Sequence, residues 1–156
     1  MMSSISIRQA VGSDLYALVS LDALSNPHPW GESLVLDALK TRKNWVIERV
    51  EKVSGQSPES LLGWLTASQW GDQSELELIV VSLDARRQGL AKKLMTEWLA
   101  NIKHEGVSEF LLEVRESNVG AISLYESLNF ELVGRRKNYY QTEQGHEAAC
   151  LFTLKM

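Results

Sequence analysis

The stretch from Leu78 to Lys92, LIVVSLDARRQGLAK, constrains the fold more than any other part of the chain. An apolar, β-branched run gives way to a polar turn. The turn opens directly into residues at helical spacing: Leu90, Leu94, Trp98, Leu99 and Ile102. The side-chain period thus changes from two to 3.6 within a few residues, the mark of a strand feeding a helix. The spacing predicts a helix over 87–104, stopped by Gly106. A strand over 108–115 follows, then a helix from about Asn118 to Leu128, then strands at about 130–140 and 147–155. Strand, helix, strand, helix, strand implies a local parallel crossover.

The first half has a different rhythm. Ile5 and Ile7 alternate with polar residues and predict a short opening strand. Ser13 or Asp14 is placed to cap a helix carrying Leu15, Leu18 and Val19, which NPHPW at 26–30 breaks. A second short helix carries Leu34, Val35 and Leu39 and runs to about Lys40. Strands are predicted over 44–53, 61–70 and 75–81, with a turn at Gly71 and Asp72 and a solvent loop over Ser54–Ser60. The expected architecture is α/β with α+β character. It has a mixed, mostly antiparallel sheet of about six to seven strands, helices on both faces and one domain over 1–156.

Composition removes several function classes. The chain has 156 residues, enough for a real core, and a formal net charge of -4. That charge argues against nucleic acid held by bulk electrostatics, while leaving room for a basic peptide. Cys150 is the only cysteine, so neither an intrachain disulfide nor a cysteine-rich zinc site is available. The three histidines, His28, His104 and His146, lack ligand-like spacing, and no metal is expected. No apolar run reaches signal-peptide or membrane-span length. A cytoplasmic protein without a membrane partner is the natural reading. The sequence leaves the oligomeric state open, with a monomer among the expectations.

The join at Arg86 to Lys92 is where an anion binds most cheaply. The first helical turn leaves backbone N–H groups without partners, and the helix dipole favours negative charge. Gly89 lacks a Cβ and admits close approach, and Arg86, Arg87 and Lys92 add charge. On residues alone, a helix start with solvated arginines fits equally well. Arg86-x-x-Gly89-x-Ala91, however, resembles the R/Q-x-x-G-x-G/A signature of the GNAT superfamily of acetyltransferases, with alanine in place of the last glycine. The resemblance implies that backbone amides of Arg87, Gln88, Gly89, Leu90, Ala91 and Lys92 hold the pyrophosphate of acetyl-coenzyme A. It also implies that the backbone of Ile79, Val80 and Val81 pairs with the pantetheine arm. An N–H near Val80 or Val81 then polarises the acetyl carbonyl.

Residues 111–130, LLEVRESNVGAISLYESLNF, are the most specific segment. They resemble the pattern LEVRxSNxxAxxLYxxLGF of the ribosomal-protein alanine N-acetyltransferases, the RimI family. The one difference is Asn129 for glycine, and a helix ending there in a left-handed residue tolerates asparagine next best. Alternation puts Glu113 on the face opposite Leu112 and Val114. On residues alone Glu113 fits a solvated sheet face, Tyr125 half-buried packing and Asn118 an N-cap. The resemblance makes Glu113 the general base, Tyr125 the acid that protonates the departing thiolate, and Asn118 a coenzyme A contact. Asn138-Tyr139-Tyr140 matches an RNYY segment on the peptide-binding side, with Gln141 for the usual proline. Gly145-x-Glu147 matches a GxED-like turn with Ala148 for the acid. Pro29-Trp30 resembles FPW, with His28 for the phenylalanine.

The family implies acetyl transfer from acetyl-coenzyme A to a protein N-terminal α-amine, the N-terminal alanine of a small-subunit ribosomal protein. Two alternatives are a GNAT enzyme for another N-terminus or small amine, and a non-catalytic coenzyme A- or partner-binding module. Joint retention of Glu113, Asn118 and Tyr125 argues against the second, and the RNYY-like segment against small molecules.

Overall fold

The computed structural model describes residues 4–50 and 61–156. The predicted loop over Ser54–Ser60 lies outside the described residues. The chain runs β1 (Ser4–Gln9), α1 (Leu15–Ser25), α2 (Glu32–Thr41), β2 (Lys43–Val50), β3 (Leu61–Trp70) and β4 (Gln73–Val81). It continues through α3 (Leu90–Lys103), β5 (Glu109–Arg115), α4 (Val119–Ser127), β6 (Glu131–Thr142) and β7 (Gly145–Lys155). The strands form one seven-stranded sheet in the order β1-β2-β3-β4-β5-β7-β6. The crossover through α3 makes β4 and β5 parallel, and every other neighbouring pair is antiparallel. β7 returns between β5 and β6, which leaves β6 as an edge.

Alternation along the strands builds two cores. Trp45 and Ile47 of β2 join Leu65, Leu76, Phe110, Leu112 and Phe152 beneath α3 and α4. Val46 points the other way, with Trp64, Leu61 and Val80 beneath α1 and α2. Helix α3 contributes Leu90, Leu94, Met95, Trp98, Leu99 and Ile102, an apolar stripe at i, i+4, i+5, i+8, i+9 and i+12. One buried indole in each core has a polar tether. Trp98 Nε1 donates to Ser74 Oγ at 3.0 Å, and Trp64 Nε1 donates to Asn44 Oδ1 at 3.0 Å. Such buried N–H groups would otherwise cost about 1–3 kcal/mol each. Among the described residues no helix is long and apolar enough to cross a membrane.

Several expectations shift by a few residues. Helix α3 starts at Leu90, because Arg87 and Gly89 have positive φ. β2 is described to Val50, and its predicted end at 51–53 lies outside the described residues. Of the apolar residues expected on α2, Val35 is buried as expected, Leu34 is 54% exposed, and Ala38 is buried in its place. Asp14 sits at the start of α1 but does not cap it with its side chain. Its carboxylate accepts two bonds from Arg8, at 2.9 Å each, and one from Val11 N–H at 2.8 Å. Helix α4 ends as expected, with Asn129 at φ 71°.

Candidate active site

The site begins with a fault in the sheet. Thr66 pairs with Leu78 and Ala67 with Leu76, so Glu77 is an extra residue in β4. The bulge flips the alternation: Leu76 packs under α3, Leu78 against the α1–α2 core. Glu77 leaves the ladder and accepts two 3.0 Å bonds from Arg42 Nε. Parallel pairing with β5 stops at the same point, at Leu76 and Leu112. Beyond it β4 and β5 splay apart.

The splay leaves backbone groups without strand partners. Ser82 N–H donates to Leu62 O at 2.8 Å, and Trp64 is opposite Val80. In an antiparallel ladder bonded pairs alternate with unbonded ones. Leu78 and Val80 therefore face β3, while Ile79 and Val81 aim their N–H and C=O groups into the gap. Arg86 Nε takes the Val81 carbonyl at 3.3 Å. An open strand edge of this kind suits an extended amide-bearing chain.

A cleft of about 920 Å³ occupies the splay. Its walls come from both sheet faces. Leu90, Ala121, Leu124 and Tyr125 belong to the α3–α4 side, and Ser25 to His28 to the end of α1 and the loop after it. The gap between β4 and β5 is thus a passage through the sheet. Ile79, Val80, Val81, Arg87, Gly89, Leu90, Ala91, Lys92 and Asn118 all line it, whereas Gln88 lies outside the lining.

The turn before α3 is built for close approach. Arg87 at φ 65° and Gly89 at φ 74° occupy the left-handed region, strained for the first and free for the second. A Cβ placed at Gly89 would meet nothing within 4 Å, so the backbone there borders open space. Arg86 has a different task from the free cation expected of it. Its Nη2 donates to Ser25 O at 2.8 Å, tying the end of α1 to the end of β4. The remaining cationic side chains on the lining beside the turn are Arg87 and Lys92.

Glu113 and Tyr125 reach the cleft from different layers. Leu112 and Val114 join the core under α4, so Glu113 emerges on the opposite, uncovered face, with its side chain 21% exposed. Its Oε1 lies 3.3 Å from Arg136 Nη2 of the edge strand. Tyr125 is 5% exposed and packs against Phe130 and Phe152. Burial, with Tyr140 nearby, pushes its phenol up to about 12. The hydroxyl is therefore protonated at any working pH. Asn118 caps α4, its side chain accepting from Ala121 N–H at 3.2 Å, and the residue also borders the cleft.

The hairpin of β6 and β7 closes the far wall. Of the two adjacent tyrosines, Tyr140 lines the cleft and Tyr139 is half exposed beside it. Sequence reasoning missed Arg115, whose guanidinium stacks over the Tyr140 ring at 4.2 Å. Its position two residues after Glu113 was the available signal, since alternation puts both on one face. Glu75 was missed too. Burial, with Glu113 and Glu77 close, pushes its carboxyl up. Among the described residues no group of three or more His, Cys, Asp and Glu side chains is arranged to hold a metal.

Residues 15–130 match the model of the acetyltransferase (GNAT) family. The chain belongs to this family. Within it, the chain is 33% identical over 153 residues to the [ribosomal protein bS18]-alanine N-acetyltransferase of Salmonella typhimurium, covering 98% of this chain and 97% of that one. It is 42% identical over 83 residues to the Escherichia coli protein of the same description, covering 53% of this chain and 56% of that one. The crystal structure of the E. coli ribosomal-protein-S18-alanine N-acetyltransferase superposes with a TM-score of 0.85 at 29% identity, over 97% of this chain and 94% of that one. Arabidopsis thaliana NAA60 in complex with acetyl-CoA shares the fold, with a TM-score of 0.86 at 21% identity over 98% and 99% of the two chains. The GNAT chain therefore has the mixed sheet its sequence implies, with strand β7 inserted beside β5.

Proposed function

We propose that this GNAT enzyme transfers acetyl from acetyl-coenzyme A to the α-amine of a protein N-terminus, the N-terminal alanine of ribosomal protein S18. The full-length likeness to the bS18-alanine enzymes supports the acceptor. The observation that carries the chemistry is that Glu113 and Tyr125, from different layers of the fold, border one passage through the sheet. We assign the α3–α4 side to the cofactor and the Glu113 side to the acceptor. The setting we propose is cytoplasmic.

The residues present suit coenzyme A. The open backbone at Gly89, the dipole of the 14-residue α3, Arg87 and Lys92 would take the pyrophosphate. The unpaired edge at Ile79 and Val81 would take the pantetheine amides. The bound cofactor supplies an acetyl thioester. Asn118 would border it from the start of α4.

Each side chain then has one task. An N-terminal amine has a pKa of about 7.7–8.0, so at pH 7 most of it arrives protonated. Glu113 removes that proton, directly or through a water. The Val81 N–H, aimed into the gap, donates to the carbonyl oxygen as charge develops there. This refines the sequence expectation of Val80 or Val81, since Val80 faces β3. The Tyr125 hydroxyl donates toward the departing sulfur. Holding both reactants in one passage supplies much of the rate.

The test is a library of peptides with free N-termini, read by mass spectrometry after incubation with acetyl-coenzyme A. Alanine-first peptides should gain acetyl on the α-amine, and a chemically blocked N-terminus should abolish the reaction. Equal activity on a blocked, lysine-bearing peptide would overturn the acceptor assignment.

A further inference from the structure

The end of the β6–β7 hairpin overhangs the sheet. β5 pairs with β7 as far as Arg115 and Ala149, Glu116 N–H adds one bond to Ala148 O at 3.0 Å, and β7 then runs on to Gly145 without a β5 partner. On the other strand the ladder breaks between Arg136 and Tyr140, where Asn138 takes φ 56°. The three rungs beyond that break, Tyr140–Glu147, Gln141–His146 and Thr142–Gly145, are therefore joined to the body of the sheet through β7 alone. Backbone pairing alone does not determine where that phenol sits.

One side chain of the sheet body grips both strands of the overhang. The Arg115 guanidinium lies 4.2 Å from the Tyr140 ring centroid and donates from Nη1 to Glu147 Oε1 at 3.2 Å. Tyr140 and Glu147 are cross-strand partners, so a single planar group reaches both members of one rung. Ser117 Oγ donates to the same Glu147 oxygen at 3.1 Å, which fixes the carboxylate from the start of α4. The Arg115 and Glu147 side chains are 26% and 16% exposed, so solvent screens the pair only in part. A planar guanidinium can stack flat on an aromatic face while its edge bonds a carboxylate, whereas an ammonium is a point charge with no plane to stack.

We propose that Arg115 is a positioning residue for the acceptor. It acts through Tyr140, by locking the overhanging hairpin so that the phenol forms the acceptor wall of the cleft opposite the cofactor side. The inference rests on the proposed function only for what binds against that wall. The clamp itself is independent of any substrate.

Two measurements test it. The first is hydrogen exchange of the full chain without ligands. Arg115→Met keeps the length of the side chain and removes stack and ion pair. Amides over 138–148 should exchange faster in the variant, with those of β4 and α4 unchanged; unchanged exchange in the hairpin overturns the clamp. The second is a double-mutant cycle on the KM for an alanine-first peptide. Arg115→Met should raise that KM about three- to tenfold and leave the thermal shift by acetyl-coenzyme A intact. In a Tyr140→Ala background the same change should add nothing. Arg115→Lys keeps a cation for Glu147 but not the planar stack, and should stay close to Arg115→Met. Additive effects, or full recovery in Arg115→Lys, would show that Arg115 does not work through Tyr140. A faster hairpin with no turnover of any peptide by the parent enzyme would leave the clamp standing and remove the acceptor assignment instead.

Discussion

Arg136 Nη2 lies 3.3 Å from Glu113 Oε1, so a cation from the edge strand β6 reaches past β7 to a carboxylate on β5. The proposed base thus sits on the open face of the sheet, at a position already suited to a positive group. Under the proposed mechanism an incoming ammonium would meet the same carboxylate.

Glu113→Gln keeps the shape of that side chain and loses the base. Turnover at pH 7 should fall by about 10²–10⁴-fold. It should partly recover above pH ~8, where the amine arrives neutral. A pH–rate profile of the variant with acetyl-coenzyme A and an alanine-first peptide reads this directly. Near-normal turnover at pH 7 would mean that the base is elsewhere.

Tyr125→Phe removes one hydroxyl from a ring packed on Phe130 and Phe152. Folding and the acetyl-coenzyme A thermal shift should survive, while turnover falls and high pH does not rescue it. The phenol also predicts a stability change. Its pKa is raised from about 10 in the unfolded chain to about 12 when folded. The folded state then holds the proton that the unfolded state releases, so the contribution is complete below pH ~10 and is lost as pH rises through about 12. Denaturant midpoints between those values should fall less steeply for Tyr125→Phe than for the parent.

Gly89→Val combines a strained backbone, at φ 74°, with a side chain in otherwise open space. A left-handed β-branched residue costs roughly 1–3 kcal/mol, so the unliganded protein should melt somewhat lower. Acetyl-coenzyme A, which should raise the parent's melting temperature by mass action, should no longer do so. An unaltered shift in this variant would remove the pyrophosphate from the α3 turn.

Asp14 predicts the acid side. The two Arg8 bonds, ahead of the Val11 N–H, hold its carboxyl below the usual range against the opposing effect of burial. A depressed carboxylate contributes stability above its unfolded pKa, about 3.9, and loses it as pH falls below that. Arg8 is about a third exposed, so screening limits the contribution to roughly 1 kcal/mol. Asp14→Asn should lower the melting temperature at pH 7 by about 2–4 °C. The difference from the parent should shrink as the pH is lowered toward 3.

Much of the site was legible along the chain because its causes are local. Period-two alternation is enough to set Glu113 against Leu112 and Val114. The apolar stripe of α3 and the left-handed Asn129 likewise depend on residues a few positions away. Gly89 could be picked out because a strand must turn into a helix within a handful of residues. The resemblance in residues 111–130 then supplied roles that spacing alone left open.

Tertiary structure decided what depends on distant partners. The bulge at Glu77 exists only in register with Thr66 and Ala67, and it ends β4–β5 pairing and opens the passage. Nothing near Arg86 indicates that its guanidinium will tie Ser25 to Val81, or near Glu77 that Arg42 will claim it. Of the two adjacent tyrosines, the one that lines the cleft is the one at which the β6–β7 ladder resumes, opposite Glu147 and under Arg115. Local sequence sets the period and the caps, because those are energies of neighbouring dihedrals. Strand order, register and the choice of ion-pair partner are set by contacts between residues tens of positions apart, which exist only once the sheet has closed.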